Sequence, residues 1–151
     1  MLGEVDCGYL LWYRSERPGL PVAEELHRSL TNYFAFLEAT RALGHEQVIV
    51  CAVPPPTILD GQVWGDVANA RSRVTATLRE RTDLTHRYNQ ALRAIAYERG
   101  FSFLDFEAEV IDPASKPDRH ELRNPDPLDH HLADGPLAAI LLKHLLQLGY
   151  R

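Results

Sequence analysis

Apolar positions along the chain fall into short blocks separated by polar, proline-bearing stretches. Residues 1–12 form a Val-, Tyr- and Leu-rich run interrupted by Glu4 and Asp6, and predict a buried strand. Residues 14–21 carry two prolines and predict a loop. Over residues 22–43 the spacing becomes helical, with Val22, Leu26, Leu30, Tyr33, Phe34 and Leu37 on one face and Gly44 where a helix would stop. Residues 47–53 are a compact β-branched run without polar alternation, which predicts a central parallel strand cut off by Pro54, Pro55 and Pro56. A loop over 57–69 and a polar helix over 70–81 follow. A second helix over 83–99, with Leu84, Tyr88, Leu92, Ile95 and Ala96 inward, is closed by Gly100. Residues 101–106 predict another strand and 107–127 a long irregular stretch. The last predicted helix, 137–148, turns Leu137, Ile140, Leu141, Leu145 and Leu148 inward, with Asp134 as its cap.

Strands alternating with helices predict an α/β fold with a parallel sheet covered on both faces. The 151 residues suffice for one domain. In such sheets chemistry gathers in the loops beyond the strands' C-terminal ends, here residues 7–21, 54–69 and 107–134. The net charge of −5 argues against a nucleic-acid partner, which would need a basic face. No apolar run approaches the roughly 18 residues of a membrane span, and no leader segment is expected. Cys7 and Cys51 predict two buried free thiols in a reducing cytoplasm.

The most chemically loaded stretch is residues 124–132, where Asp126, Asp129, His130 and His131 precede the last helix. A carboxylate beside a histidine fixes its tautomer and stabilises the imidazolium, which makes a better general base. A loop can turn one of two adjacent histidines inward and the other outward. A metal site built from this loop with Asp134 is the competing chemistry, but adjacent histidines chelate poorly, and no metal or cofactor is implied. Surface polar histidines are the plain alternative. In the first segment, Glu4 and Asp6 lie two apart, so on a strand both would line one pocket. They serve either in a site or in an ion pair with Arg14 or Arg71. A nucleophilic Cys7 lacks any neighbouring cation in the sequence. Trp12, Tyr13 and Trp64 are candidates for lining a sugar or acyl pocket, or for the core.

Gly3-Glu4-Val5-Asp6 resembles the third block of SGNH/GDSL-type hydrolases, Gly-x-Asn-Asp. The segment Asp129-His130-His131-Leu132 before an amphipathic helix is similar to their fifth block, Asp-x-x-His. Further segments resemble a bacterial SGNH-like branch. They are Cys7-Gly8-Tyr9 with Trp12-Tyr13-Arg14, Pro55-Pro56-Thr57-Ile58 with Asp60, and Arg81-Thr82 with Leu84-Thr85 and Asn89. The resemblance spans nearly all of the chain. It implies a three-layer α/β/α sandwich, flavodoxin-like, with a five-stranded parallel sheet. It also implies hydrolysis of esters or acyl groups by a serine, an acid-oriented histidine and an oxyanion hole. Carried onto this chain, the catalytic candidates are His131 or His130 with Asp129 or Asp126, His131 being preferred because Leu132 follows it. Gly3, Glu4 and Asp6 mark the oxyanion region, and Arg14, Trp12, Thr57 and Asp60 the substrate side.

The chain departs from this pattern. No Gly-Asp-Ser occurs, and Ser15, Ser29, Ser72, Ser102 and Ser115 stand in other contexts; Val5 occupies the asparagine position. The acid-to-histidine spacing also differs, since Leu128 and Pro127 stand three residues before His131 and His130. The expectation is a partial SGNH-like domain over residues 1–151, missing its first strands and inactive alone towards a small ester or acylated substrate. Its Gly3 strand would be an open edge that pairs with a second copy or a second chain. A non-catalytic ligand- or partner-binding module of the same fold is the first alternative, and a metal-dependent hydrolase the second.

Overall fold

The computed structural model describes residues 3–17, 19–62, 69, 71–111, 119–126 and 128–150. Trp64 and Ser115 lie outside them. The chain opens helically. A π-helical turn, Asp6–Leu10, runs into α1, Leu11–Glu16, which packs against α2, Val22–Ala42. Strand β1, Ile49–Cys51, leads through α3, Leu78–Glu98, to β2, Ser102–Leu104. A single turn of helix, α4 (Glu107–Val110), a 3₁₀ turn (His120–Leu122) and α5 (Asp134–Gln147) complete the described elements.

β1 and β2 pair in parallel, with Ile49, Val50 and Cys51 opposite Ser102, Phe103 and Leu104. This is the α/β arrangement that the alternating pattern predicts. The ladder runs one bond further, from Ala52 N–H to the Leu104 carbonyl at 2.9 Å. At Val53 a side chain takes over. The Asn89 amide accepts from Val53 N–H at 2.7 Å and donates to the Val53 carbonyl at 3.0 Å, as a neighbouring strand would. β1 is therefore shorter than residues 47–53, because its last backbone groups are satisfied by α3 and Pro54 follows.

The core lies between this pair and the two long helices. Leu30, Phe34 and Leu37 of α2 meet Val50, Phe101 and Phe103, and Leu84, Tyr88, Leu92 and Ala96 of α3 close it. These are the faces the spacing predicts. Gly44 and Gly100 both take positive φ just past their helices, +96° and +69°.

Three expectations are overturned. Of the strand predicted over 1–12, the described residues 4–12 are helical instead: helix begins at Glu4, after Gly3 at φ +104°. Two acids in an apolar run fit a helix better, because turning about 100° per residue sends them to different sides, each to its own partner. Without that strand, the predicted open edge at Gly3 is absent. Next, the helices predicted over 70–81 and 83–99 are divided in the wrong place: residues 72–77 are not helical, and residue 82 lies inside one helix. Thr77 and Glu80 form a capping box, with Thr77 N–H to Glu80 at 2.8 Å and Glu80 N–H to Thr77 Oγ1 at 3.2 Å, so α3 starts there and runs unbroken. Finally, Asp134 is the first residue of α5 rather than its cap. Ala133 holds the cap position, and Asp134 meets only the favourable end of the helix dipole. On α5, Leu137, Ile140, Leu141 and Leu145 are half-buried, while Leu148 is exposed.

Helix α3 also carries a polar row one turn apart, buried at Arg81, Thr85 and Asn89 and half-buried at Arg93, which the apolar pattern hides. Arg81 Nη2 donates to the Ile58 carbonyl at 2.7 Å and to Asp60 at 3.3 Å. Thr85 reaches the Cys7 thiol. Asn89 holds Val53 and donates to Glu107 at 3.1 Å. Arg93 pairs with Asp105. No described helix is long and apolar enough to cross a membrane.

Candidate functional site

The loop after β1 and the loop before α5 meet at one rim. A short antiparallel bridge, Arg123 opposite Leu132, closes the second loop: Asn124 N–H donates to the His131 carbonyl at 3.2 Å and Ala133 N–H to the Leu122 carbonyl at 2.7 Å. Leu132 is buried in the core and anchors it. Thr57, from the first loop, donates its hydroxyl to the His130 carbonyl. Thr57, Leu59, Gln62, Asn124, Asp126, Asp129, His130 and His131 share a cleft of about 150 Å³.

The adjacent histidines differ in every respect. His131 Nδ1 lies 2.7 Å from Asp129 Oδ1, and the same oxygen accepts from His131 N–H at 3.0 Å. The other Asp129 oxygen accepts from Asn124 Nδ2 at 2.7 Å. Hydrogen bonding from His131 holds the Asp129 carboxyl below the usual carboxylate range. An ionised carboxylate only accepts, so the imidazole proton sits on Nδ1 and the Nε2 lone pair is free. The His131 side chain is 68% exposed. Asp126, in contrast, accepts from Leu128 N–H at 2.9 Å and shapes the turn.

His130 is turned inward and is 7% exposed. The Gln62 carbonyl accepts from Leu59 N–H at 3.0 Å, which makes its amide nitrogen the donor to His130 Nδ1 at 3.4 Å. The proton of His130 then sits on Nε2, which is buried and bonds to no described residue. Burial first, and then the positive Arg71, lower the pKa of this imidazole. His130 is thus a buried, positioned ring, and His131 an exposed one whose Nε2 bonds to no described residue.

Glu4 joins this rim. It is buried, and burial raises its pKa against the opposing pull of His131 and Arg71. Asp6 does not join it. Asp6 accepts from Ser29 Oγ at 3.0 Å, and Ser29 lies 3.1 Å from Tyr88 Oη, towards α2. The two acids therefore do not line one pocket, because the segment is helical. Gly3, Asp6 and Arg14 line a different cavity, of about 460 Å³, together with Tyr33 and Phe36. Trp12 packs on the core and donates to the Cys7 carbonyl at 3.0 Å. Tyr13 stacks near Tyr9 and under Arg17. Asp60 accepts from Leu78 N–H at 2.5 Å and from Arg81, and so anchors the start of α3.

An acid that binds its proton more tightly in the folded state stabilises the fold at low pH and loses that stability as pH rises through its raised pKa. Glu4→Gln is therefore expected to melt higher than the parent at pH 7, with the difference shrinking towards pH 4. A variant that melts lower at pH 7 would mean that the attraction of Arg71 and His131 outweighs burial.

Cys7 and Cys51 are free, and burial pushes both thiols up, far up for Cys7, so neither supplies a thiolate. No hydroxyl or thiol of a described residue hydrogen-bonds to His131. Among the described residues, no group of three or more His, Cys, Asp or Glu side chains is placed to hold a metal ion.

Comparison adds one relationship. The fold is similar to the crystal structure of a "putative acylhydrolase" from Bacteroides fragilis, with a TM-score of 0.55 and 16% sequence identity. The match covers 83% of this chain but 53% of the other, so the chain spans about half the length of that structure. No family model and no curated protein matches the chain.

Two residues at the rim went unassigned in the sequence. Arg71 was legible only as one of two ion-pair partners for Glu4 or Asp6; no such close pair forms with a described residue, and Arg71 acts on Glu4 only through its charge. Gln62, the amide that orients His130, carries no motif and had no signal at all.

Proposed function

We propose that this chain is the histidine-bearing part of an SGNH/GDSL-type ester or acyl hydrolase, one domain in a three-layer α/β/α sandwich. Its serine comes from outside these residues. The observation that carries the reading is the Asp129–His131 pair, with Nδ1 bonded at 2.7 Å and Nε2 open, on the loop before the last described helix. The likeness to an acylhydrolase fold supports it. In this reading His131 takes the proton from a serine attacking a carbonyl, and Asp129 stabilises the imidazolium that results. Val5, half-exposed where the family places an oxyanion asparagine, offers no side-chain donor, so backbone N–H groups carry that charge. The substrate is a small ester or an acylated molecule.

The test is a short-chain p-nitrophenyl ester assay on two proteins. One is the chain by itself; the other is the chain joined to an N-terminal segment carrying a Gly-Asp-Ser block. The expected result is no His131-dependent turnover by the first and His131-dependent turnover by the second. Turnover by the chain alone that His131→Ala abolishes would show that the nucleophile is already present. A second reading, a ligand-binding module without catalysis, is favoured by the lack of any hydroxyl from a described residue on His131, and it requires the joined protein to stay inactive.

A further inference from the structure

Beside the histidine cleft lies a second cavity, of about 260 Å³, which none of the reasoning above uses. Its walls are Gly8, the loop from Ile58 to Gln62, the segment around Arg71 and Val74, the start of α3, and Arg81. Leu59 and Gln62 line both cavities, so the two adjoin.

Two guanidinium groups face into this space. Arg81 is 5% exposed; its Nη2 is engaged by the Ile58 carbonyl and Asp60, but its Nε is buried and bonds to no described residue. Leaving a donor unpaired in a protein interior costs of the order of 1–3 kcal/mol. Arg71 is half-buried over Gly8, whose lack of a side chain leaves its Nη1 3.7 Å from the place a Cβ would occupy. Arg71 makes no hydrogen bond or close ion pair with a described residue. Burial lowers the pKa of both arginines, and Arg71 adds repulsion to Arg81.

Of the described carboxylates, only Asp60 lines the cavity, and it is already held by Leu78 N–H and Arg81. Glu16 and Glu80 lie close by but are held by Thr75 and Thr77. Glu4, near Arg71, is buried with its proton held more tightly than usual. Two cations and one engaged anion among the lining residues, with Glu4 behind Arg71, is a setting for an oxyanion. The start of the 21-residue α3 adds the positive end of its dipole.

We propose that the cavity between Arg71 and Arg81 is an oxyanion-binding subsite that seats a phosphoryl or carboxylate group of the ligand handled at the adjoining His130–His131 cleft. The subsite makes the preferred substrate an acidic one. Its link to acyl hydrolysis rests on the reading above, but the anion binding itself does not.

The experiment is a titration of the whole chain with inorganic phosphate and, separately, with acetate, at constant ionic strength, followed by backbone amide NMR shifts. Saturable shifts at Gly8, Gly61, Gln62 and Arg71 are expected, with a Kd of about 1 mM or tighter for the better ligand. Arg71→Gln should weaken binding about tenfold or more, the loss of one charge-assisted hydrogen bond. Arg71→Lys should restore part of it, and Arg87→Gln, an exposed arginine on the same helix as Arg81, should change nothing. Tighter binding of phosphate marks a phosphoryl ligand, and equal or tighter binding of acetate a carboxylate one. Shifts that do not saturate, or binding that Arg71→Gln leaves intact, would overturn the subsite. Because no turnover is measured, that failure is separate from a failure of the hydrolase reading.

Discussion

Replacing Asn89 by leucine is expected to cost the fold at least about 3 kcal/mol, a large share of the 5–15 kcal/mol that holds a domain of this size together. Asn89 is wholly buried, and its amide meets three groups: Val53 N–H, the Val53 carbonyl and Glu107. Leucine fills much the same volume but pairs with none of them. Val53 would keep two orphaned backbone groups, and among the described residues Glu107 would keep His86 alone, at 3.2 Å, with its own exposure of 8%. Each buried polar group left unpaired costs about 1–3 kcal/mol. The measurement is urea unfolding followed by circular dichroism, and the midpoint should fall with little change in slope. A loss under about 1 kcal/mol would mean that water or rearranged backbone replaces the amide, and that Asn89 is not what ends β1.

The second large effect concerns the two histidines. In protein joined to a serine-bearing segment, His131→Ala is expected to lower kcat about 10⁴–10⁶-fold, as the loss of a general base does in a serine hydrolase. Asp129→Ala should cost less, since the open Nε2 survives without its orienting acid. His130→Ala should act mainly on stability and on KM. Its Nδ1 already accepts from Gln62 and its Nε2 is sealed from solvent, so it has no lone pair to offer. Were the order reversed, with His130→Ala abolishing kcat and His131→Ala tolerated, the base would be His130, and the exposed Asp129–His131 pair would be a surface ion pair of little energetic value.

Much of the scaffold was legible in the sequence because its elements are long or sharply bounded. The α2 face from Val22 to Leu37 repeats over about four turns, and glycine stops both long helices. Val50 and Phe103 sit in apolar runs too short for helices. The first segment was not legible. Over a dozen residues, apolar side chains broken by Glu4 and Asp6 suit either period, and the choice depends on groups far along the chain: Ser29 for Asp6, the charges of His131 and Arg71 for Glu4. The start of α3 was legible in principle, since Thr77-x-x-Glu80 is a capping signature, but the polar helix preceding it in the reading hid it.

At the rim, the loop's chemistry could be read and its geometry could not. The family-like spacing would put the acid three residues before the histidine. Here two suffice, because one Asp129 oxygen binds both the backbone N–H and the ring of His131, a tight local turn. Which histidine turns inward was decided by Thr57 and Gln62, more than sixty residues away in sequence.

The polar row of α3 has a consequence for how the rim can change over time. Arg81, Thr85, Asn89 and Arg93 each hold a different part of the surrounding chain, and successive grips lie about 6 Å apart along a rigid rod. The loops are thus measured off against a common ruler rather than against one another. Their intervening residues can be rewritten, lengthened or shortened between grips, and the spacing of the chemistry they carry stays as the helix sets it.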